Sequence, residues 1–246
     1  MKITERQEKI LNTIVKEYID SAWPVSSQLL EKKYDFGISP ATIRIEMQKL
    51  TETGLLCQLH TSAGRIPTDK GYRFFVNGLI ARQSFASQNL GGFEKDYDFK
   101  IENWVDEEIT DTVKFIQSLT KNLALASSAL ALSYLPEEGI LWKEGWEEIL
   151  REPEVEEKNF ISNFTKLLEN FEKNIGDLKI NSGVKIYIGR ENPFPKAKDF
   201  SIICSRFYFP TEKEVVVSLL GPKRMNYDRN IGLINSLAEA LAEAFN

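Results

Sequence analysis

Two short polar stretches lie near one another in the first third of this sequence. The first presents Ser39, Thr42, Arg44, Ile45, Gln48 and Lys49. The second presents His60, Thr61, Ser62, Gly64 and Arg65, followed by Thr68, Lys70 and Arg73. None of these forms a nucleophile with a base and an orienting acid. The single histidine, His60, has no cysteine, serine or acid at a motif spacing, and no phosphate-cradling GxxxxGK occurs. Catalysis is therefore not expected, and neither is a cofactor. The set is instead rich in guanidinium, ammonium, amide and hydroxyl donors, the groups that meet base edges in a major groove and phosphate oxygens along a backbone. The chemistry predicted is recognition of double-stranded DNA.

The elements that must position these side chains are legible. Ser39 is a helix N-cap with Pro40 at the first helical position, where a missing N–H costs nothing. Ile43, Met47 and Leu50 fall on one face, leaving Thr42, Arg44, Gln48 and Lys49 outward, and Gly54 suits the left-handed residue that closes a helix. Leu55 to Leu59, the polar turn His60 to Arg65, and Ile66-Pro67 read as a hairpin with a basic tip. Thr68 caps a further helix whose first N–H groups can meet a phosphate, beside Lys70 and Arg73; its Tyr72, Phe75, Val76 and Leu79 are predicted to pack inward. Upstream, Thr4 and Gln7 make a capping box ahead of Ile10, Leu11, Ile14, Val15, Tyr18 and Ile19. Ser26 caps a short helix to about Lys33, with Leu29 and Leu30 inward. Three helices, a glycine-containing turn before the third, and a hairpin predict a winged helix-turn-helix over residues 1–82. Arg65 is expected in a minor groove and His60 with Thr61 and Ser62 on phosphates. Ile45 either touches a thymine methyl or covers a core neighbour.

Residues 83–103, with Gly91-Gly92, read as a linker to a second domain at 104–246. There, Ile109, Val113, Ile116, Leu119 and Leu123 mark a helix, Ala124–Ser133 is either strand or buried helix, and Phe160, Phe164, Leu167, Leu168 and Phe171 mark another helix. Val184–Ile188, Phe200–Phe209 and Val215–Leu220 are strand-like, and Arg229–Phe245 closes as a helix. Gly221 to Arg224, with Asp228, reads as a strand-to-helix turn. Two helices, three strands and a helix give an α+β body. Residues 1–82 hold 12 Lys/Arg against 9 Asp/Glu and the remainder 19 against 27, so a weakly basic head precedes an acidic body. Cys57 and Cys204 are far apart without a CxxC, so no metal site is expected. The charged start MKITERQEKI and the lack of a run near the ~20 apolar residues of a membrane span point to a cytoplasmic protein without a membrane partner.

At SPATIR (Ser39–Arg44) and HTSAGRIPTDKGYRFFVNGL (His60–Leu79), the sequence closely resembles the HrcA family of heat-inducible transcription repressors. The resemblance covers about residues 3–82. It returns at IGRENPFPKAKDFSII (Ile188–Ile203) and LLGPKRMNYDRNIGLINSLAE (Leu219–Glu239). It implies a winged-helix domain joined to a GAF-like domain, and a homodimer on an inverted-repeat operator, CIRCE, that controls chaperone genes. It also implies that the chaperonin GroEL maintains the binding-competent form. Two departures stand out: Ile45 and Leu59 occupy positions where the family usually has Asn and Pro. After ALALSYLPEE (Ala129–Glu138) the chain passes almost directly to ILWKEGW, without the strands and inserted dimerisation segment of the family. The body is thus expected to be a reduced GAF-like domain. Two other functions fit the same elements: a regulator sensing a small molecule through its body, and a winged helix that binds protein.

Overall fold

Thr4 opens the first helix through a reciprocal cap. Its hydroxyl accepts from the Gln7 amide at 3.2 Å and the Gln7 side chain accepts from the Thr4 amide at 3.0 Å. In this computed structural model residues 3–60, 63–88, 101–104, 112–178, 180, 183–208 and 214–244 are described. The chain divides into two compact units, Met1–Phe93 and Glu94–Asn246.

In the first unit, α1 (Glu5–Ser21) buries Ile10, Leu11, Ile14 and Val15 completely. Ser26 caps α2 (Ser27–Lys33) by accepting from the Leu29 amide at 3.1 Å. Ser39 caps α3 (Pro40–Glu52), which buries Ile43, Met47 and Leu50 and hands over to Gly54 at φ +75°, the conformation a glycine adopts without strain. A hairpin of β1 (Leu56–Cys57) and β2 (Ile66–Pro67) pairs Leu56 with Pro67 and Cys57 with Ile66. It leads into α4 (Asp69–Gln88), on which Tyr72, Phe75, Val76 and Leu79 are buried as the sequence predicts. Two expectations change. Leu29 is 41% exposed while Leu30 is fully buried, because a helix of barely two turns presents only one narrow face to its neighbours. Helix α4 also runs past Gln83, the predicted start of the linker, since nothing from Ser84 to Gln88 breaks a helix and Gly91-Gly92 comes later. The rest of that stretch, up to residue 100, lies outside the described residues.

Two buried carboxylates bind these helices together. Glu17 on α1 accepts from Lys33 Nζ at 2.6 Å and from the Tyr34 hydroxyl. Glu46 on α3 accepts from Gln7 Nε2 at 2.9 Å and pairs with Lys49 Nζ at 3.2 Å. Burial pushes both carboxyls up. Hydrogen bonds (from Lys33 and Tyr34, and from Gln7 and Lys49) and the nearby cations outweigh it and hold both below the ordinary value.

The second unit is built on one sheet in the order β4-β3-β7-β6-β5, antiparallel throughout. Its strands are β3 (Leu130–Leu135), β4 (Ile140–Glu144), β5 (Lys185–Ile188), β6 (Phe200–Tyr208) and β7 (Glu214–Pro222). Around it lie α5 (Thr112–Ser127), α6 (Trp146–Leu150), α7 (Phe160–Asn174) and α8 (Tyr227–Ala244). Side chains alternate across a strand, which sorts the contacts into two faces. Leu130, Leu132, Phe200, Ile202, Val216 and Leu220 meet Phe160, Phe164, Leu167 and Phe171 of α7. On the opposite face the Thr120 hydroxyl of α5 lies 2.7 Å from the Ser133 hydroxyl, and Tyr227 at the start of α8 lies 2.7 Å from the Ser201 hydroxyl. The class is α+β as expected, with five strands where three were predicted. Ala124–Ser133 divides at Ser128 (φ +50°) into the end of α5 and the start of β3, and β3 forms a hairpin with β4, a strand the sequence does not predict.

A lowered carboxyl contributes stability that is complete above the unfolded value and lost as pH falls through the folded one. The contribution of Glu17 and Glu46 is therefore present above about pH 4.5 and disappears below it. In thermal melts from pH 6 to pH 3, the wild-type chain is expected to lose more stability than an E17Q/E46Q variant. Parallel loss in both would remove these two carboxylates as the frame of the first unit.

Candidate nucleic-acid interface

The outward side of α3 and the hairpin face the same open concavity. It is lined by Ser26, Ser27 and Gln28 of α2, Arg44 and Met47 of α3, and Gln58, Ala63, Gly64 and Arg65 of the hairpin. Arg44 is exposed and, among the described residues, has no hydrogen-bond or ion-pair partner. Gln48, one turn further along the same face, is also exposed. Ile45 is 56% exposed and so does not serve to cover the core. Thr42 is half-buried, its hydroxyl 3.0 Å from that of Ser39, whose own oxygen accepts the Thr42 amide at 3.2 Å. Ser39 is therefore committed to capping the helix.

The hairpin is held from three directions. Gln58 Nε2 donates to the Ala63 carbonyl at 2.8 Å, and the His60 carbonyl accepts the Ala63 amide at 2.9 Å, closing the turn. Val25 and Arg65 exchange two backbone hydrogen bonds of 2.9 and 2.8 Å. That approach requires Gly64: a Cβ there would stand 2.5 Å from both the carbonyl carbon and oxygen of Val25. Arg65 reaches back to α3, donating from Nε to the Thr51 hydroxyl and from Nη2 to Gln48 Oε1, each at 3.1 Å. His60 is exposed at the turn. Thr61 and Ser62 lie outside the described residues.

The structure does not gather all the predicted residues at this face. Lys49 turns to Glu46 at 3.2 Å. Lys70 donates to the Thr53 carbonyl at 2.9 Å, and Thr68 donates to the Gly54 carbonyl at 2.7 Å while accepting the Gly71 amide at 3.1 Å. These groups tie the end of α3 to the start of α4, beyond the far end of α3 from Arg44. Arg73 is half-buried on α4. Conversely, Gln28, Gln58 and the serines at the start of α2 join the concavity without having been anticipated. Their only signal was that a helix-turn-helix brings the start of its first helix toward the recognition helix.

The fold and this face define a two-unit α+β chain with a polar helix-and-hairpin surface on its first unit. A family model described as the HrcA protein C terminal domain matches residues 42–231. The chain belongs to the HrcA family. Among its relatives is the heat-inducible transcription repressor HrcA of Natranaerobius thermophilus, 27% identical over 99% of this chain and 97% of that protein. The protein of the same name from Desulfitobacterium hafniense is 28% identical over 99% and 98%. That of Carboxydothermus hydrogenoformans reaches 47% identity over 51% of this chain and 37% of its own length. The Natranaerobius alignment runs over 334 positions against the 246 residues here, so that relative carries internal segments without a counterpart in this chain. A crystal structure described as that of a hypothetical protein at 2.2 Å resolution has the same fold, with a TM-score of 0.83 and 23% identity over 99% of each chain.

Replacing Gly64 with Ala is expected to destabilise the first unit by about 1–3 kcal/mol, the usual range for inserting a methyl group where none fits. Gly78 on α4 has open space around its Cβ position. There Gly→Ala is expected to stabilise by roughly 0.5–1 kcal/mol through helix propensity. Urea unfolding of the two variants checks the contrast; equal effects would mean that the approach to Val25 sets no constraint.

Proposed function

We propose that this chain is a cytoplasmic transcription repressor of chaperone genes that binds an inverted-repeat operator of the CIRCE type as a homodimer. In this reading α2 and α3 form a helix-turn-helix, α3 enters a major groove, the β1–β2 hairpin is a wing, and the second unit is a reduced GAF-like body. The observation that carries it is the guanidinium of Arg44, without a partner among the described residues and set outward on α3 in a concavity shared with the hairpin. An arginine so placed suits a bidentate contact to guanine or a phosphate. Thr42, Ile45, Gln48 and His60 complete the contact set, and the sequence adds Thr61 and Ser62 to it. Thr68 and Lys70 act as braces, and Lys49 pairs with Glu46 on its own helix.

Family membership and the names of the relatives support the repressor role. The coupling to heat follows from the resemblance: a chaperonin such as GroEL maintains the competent dimer, and its diversion to unfolded protein lowers the competent fraction.

Binding of the full-length chain to a CIRCE-type inverted repeat and to a scrambled duplex, titrated with salt, tests the proposal. Operator binding is expected to be at least ~10³-fold tighter than scrambled binding, as for specific regulators. R44M is expected to lower operator affinity by roughly 5- to 100-fold and to reduce the preference at one base pair. Equal affinity of the wild-type chain for both duplexes would sink the repressor reading.

A further inference from the structure

The orientation of one exposed side chain on α3 is decided by its neighbour. Arg65 Nη2 lies 3.1 Å from Gln48 Oε1. A guanidinium only donates, so the amide atom it meets must be the carbonyl oxygen. An isolated glutamine leaves that choice open. With the oxygen end engaged, the –NH2 end donates one hydrogen to Glu52 Oε1 at 3.2 Å and keeps a second. Thr51 fixes Arg65 in turn. Its hydroxyl proton goes to the Met47 carbonyl at 2.9 Å, so toward Arg65 Nε, 3.1 Å away, it presents an acceptor. The backbone pairing with Val25 holds Arg65 from the other side. A chain of defined donors and acceptors thus runs from the hairpin through Arg65 to the reading face of α3.

We propose that Arg65 is a positioning residue for sequence discrimination, acting through Gln48. It sets the Gln48 amide as a hydrogen-bond donor toward DNA. Gln48 then selects an acceptor on a base edge: a purine N7, guanine O6 or thymine O4. It does not make the two-ended contact to adenine, which needs the amide oxygen and nitrogen together. Arg65 acts from the side of α3 and needs no groove of its own. The inference rests on the DNA-binding reading above and adds to it which atom of Gln48 reads and what holds it there.

The test uses the full-length chain and a pool of duplexes with randomised inverted half-sites. The base pair read by Gln48 is the one whose preference disappears in Q48A. T51V keeps every charge and nearly the same shape, yet removes the acceptor that holds Arg65. It is expected to reduce the preference at that base pair on the order of 5-fold, the lower end of one base-edge contact. The dependence of affinity on salt should stay as in the wild type. R65M is expected to lose the same preference. If T51V keeps full preference while R65M weakens binding to all duplexes alike and lowers the salt slope by about one, Arg65 is a phosphate contact and the inference is overturned. It is equally overturned if Q48A loses no preference, or if the selected sites show the two-ended adenine contact at that pair. No enrichment of any sequence by the wild-type chain would instead remove the DNA reading itself, an outcome distinct from these.

Discussion

The first unit depends on how closely two backbones approach one another at Gly64. A two-residue ladder such as β1–β2 has little stability of its own. It persists because its second arm lies against the connection between α1 and α2 with no side chain between, so that Val25 and Arg65 pair like neighbours in a sheet. That contact fixes the backbone of Arg65. The fixed backbone allows its side chain to reach Thr51 and Gln48, and the reach joins the hairpin to α3. Just beyond that same C-terminal end of α3, Thr68 and Lys70 close the carbonyls of Gly54 and Thr53. Helix α3 is therefore braced at its C-terminal end, and the exposed face toward its start is left to Arg44 and Ile45, with Gln48 beside Arg65.

Charge is organised differently in the two units. In the first, the buried carboxylates Glu17 and Glu46 are well supplied with donors and are held below the ordinary value despite burial. In the second, Arg224 at the turn from β7 into α8 binds Glu152 and Glu154, yet burial and the neighbouring acids leave Glu152 raised. Glu157 is raised too, by burial and by Glu154 and Asp199. A raised acid favours the folded state below its unfolded value and loses that contribution as pH climbs through the folded one. Mild acid thus weakens the helical frame of the first unit while relieving crowded acids in the second. The Gly221 to Arg224 stretch belongs to this ion-paired turn.

Much of this could be seen in the residues. The caps at Thr4, Ser26 and Ser39, the closing Gly54 and the apolar stripe of α3 are local signals, set by hydrogen bonds within a few residues, and a sequence displays them directly. Strand β4 was hidden because an edge strand buries little: Ile140, Leu141 and Trp142 are only half-buried and Lys143 and Glu144 exposed, so no alternation marked it. The Ala124–Ser133 segment carried no period because it joins the last turn of a helix, where Leu125 is exposed, to a strand buried on both faces. At the candidate interface, residue types identified the face, but not which side chains are free. Whether an exposed-looking Arg65, Lys49 or Lys70 reaches outward or bonds to a neighbour depends on distances between elements far apart in sequence. Of the three cations on the outer side of α3 and the hairpin, only Arg44 was left without a partner among the described residues.

Cys204 lies on β6, inside the sheet, with its thiol 3.6 Å from the Lys185 carbonyl. Burial pushes its ionisation up to about 12, so at neutral pH almost none of it is thiolate, the form that reacts. Its side chain belongs to the core that α7 covers, so the sulfur meets a reagent only when that core opens. Slow alkylation of Cys204 beside faster alkylation of the half-buried Cys57 thus reports on the opening of the second unit.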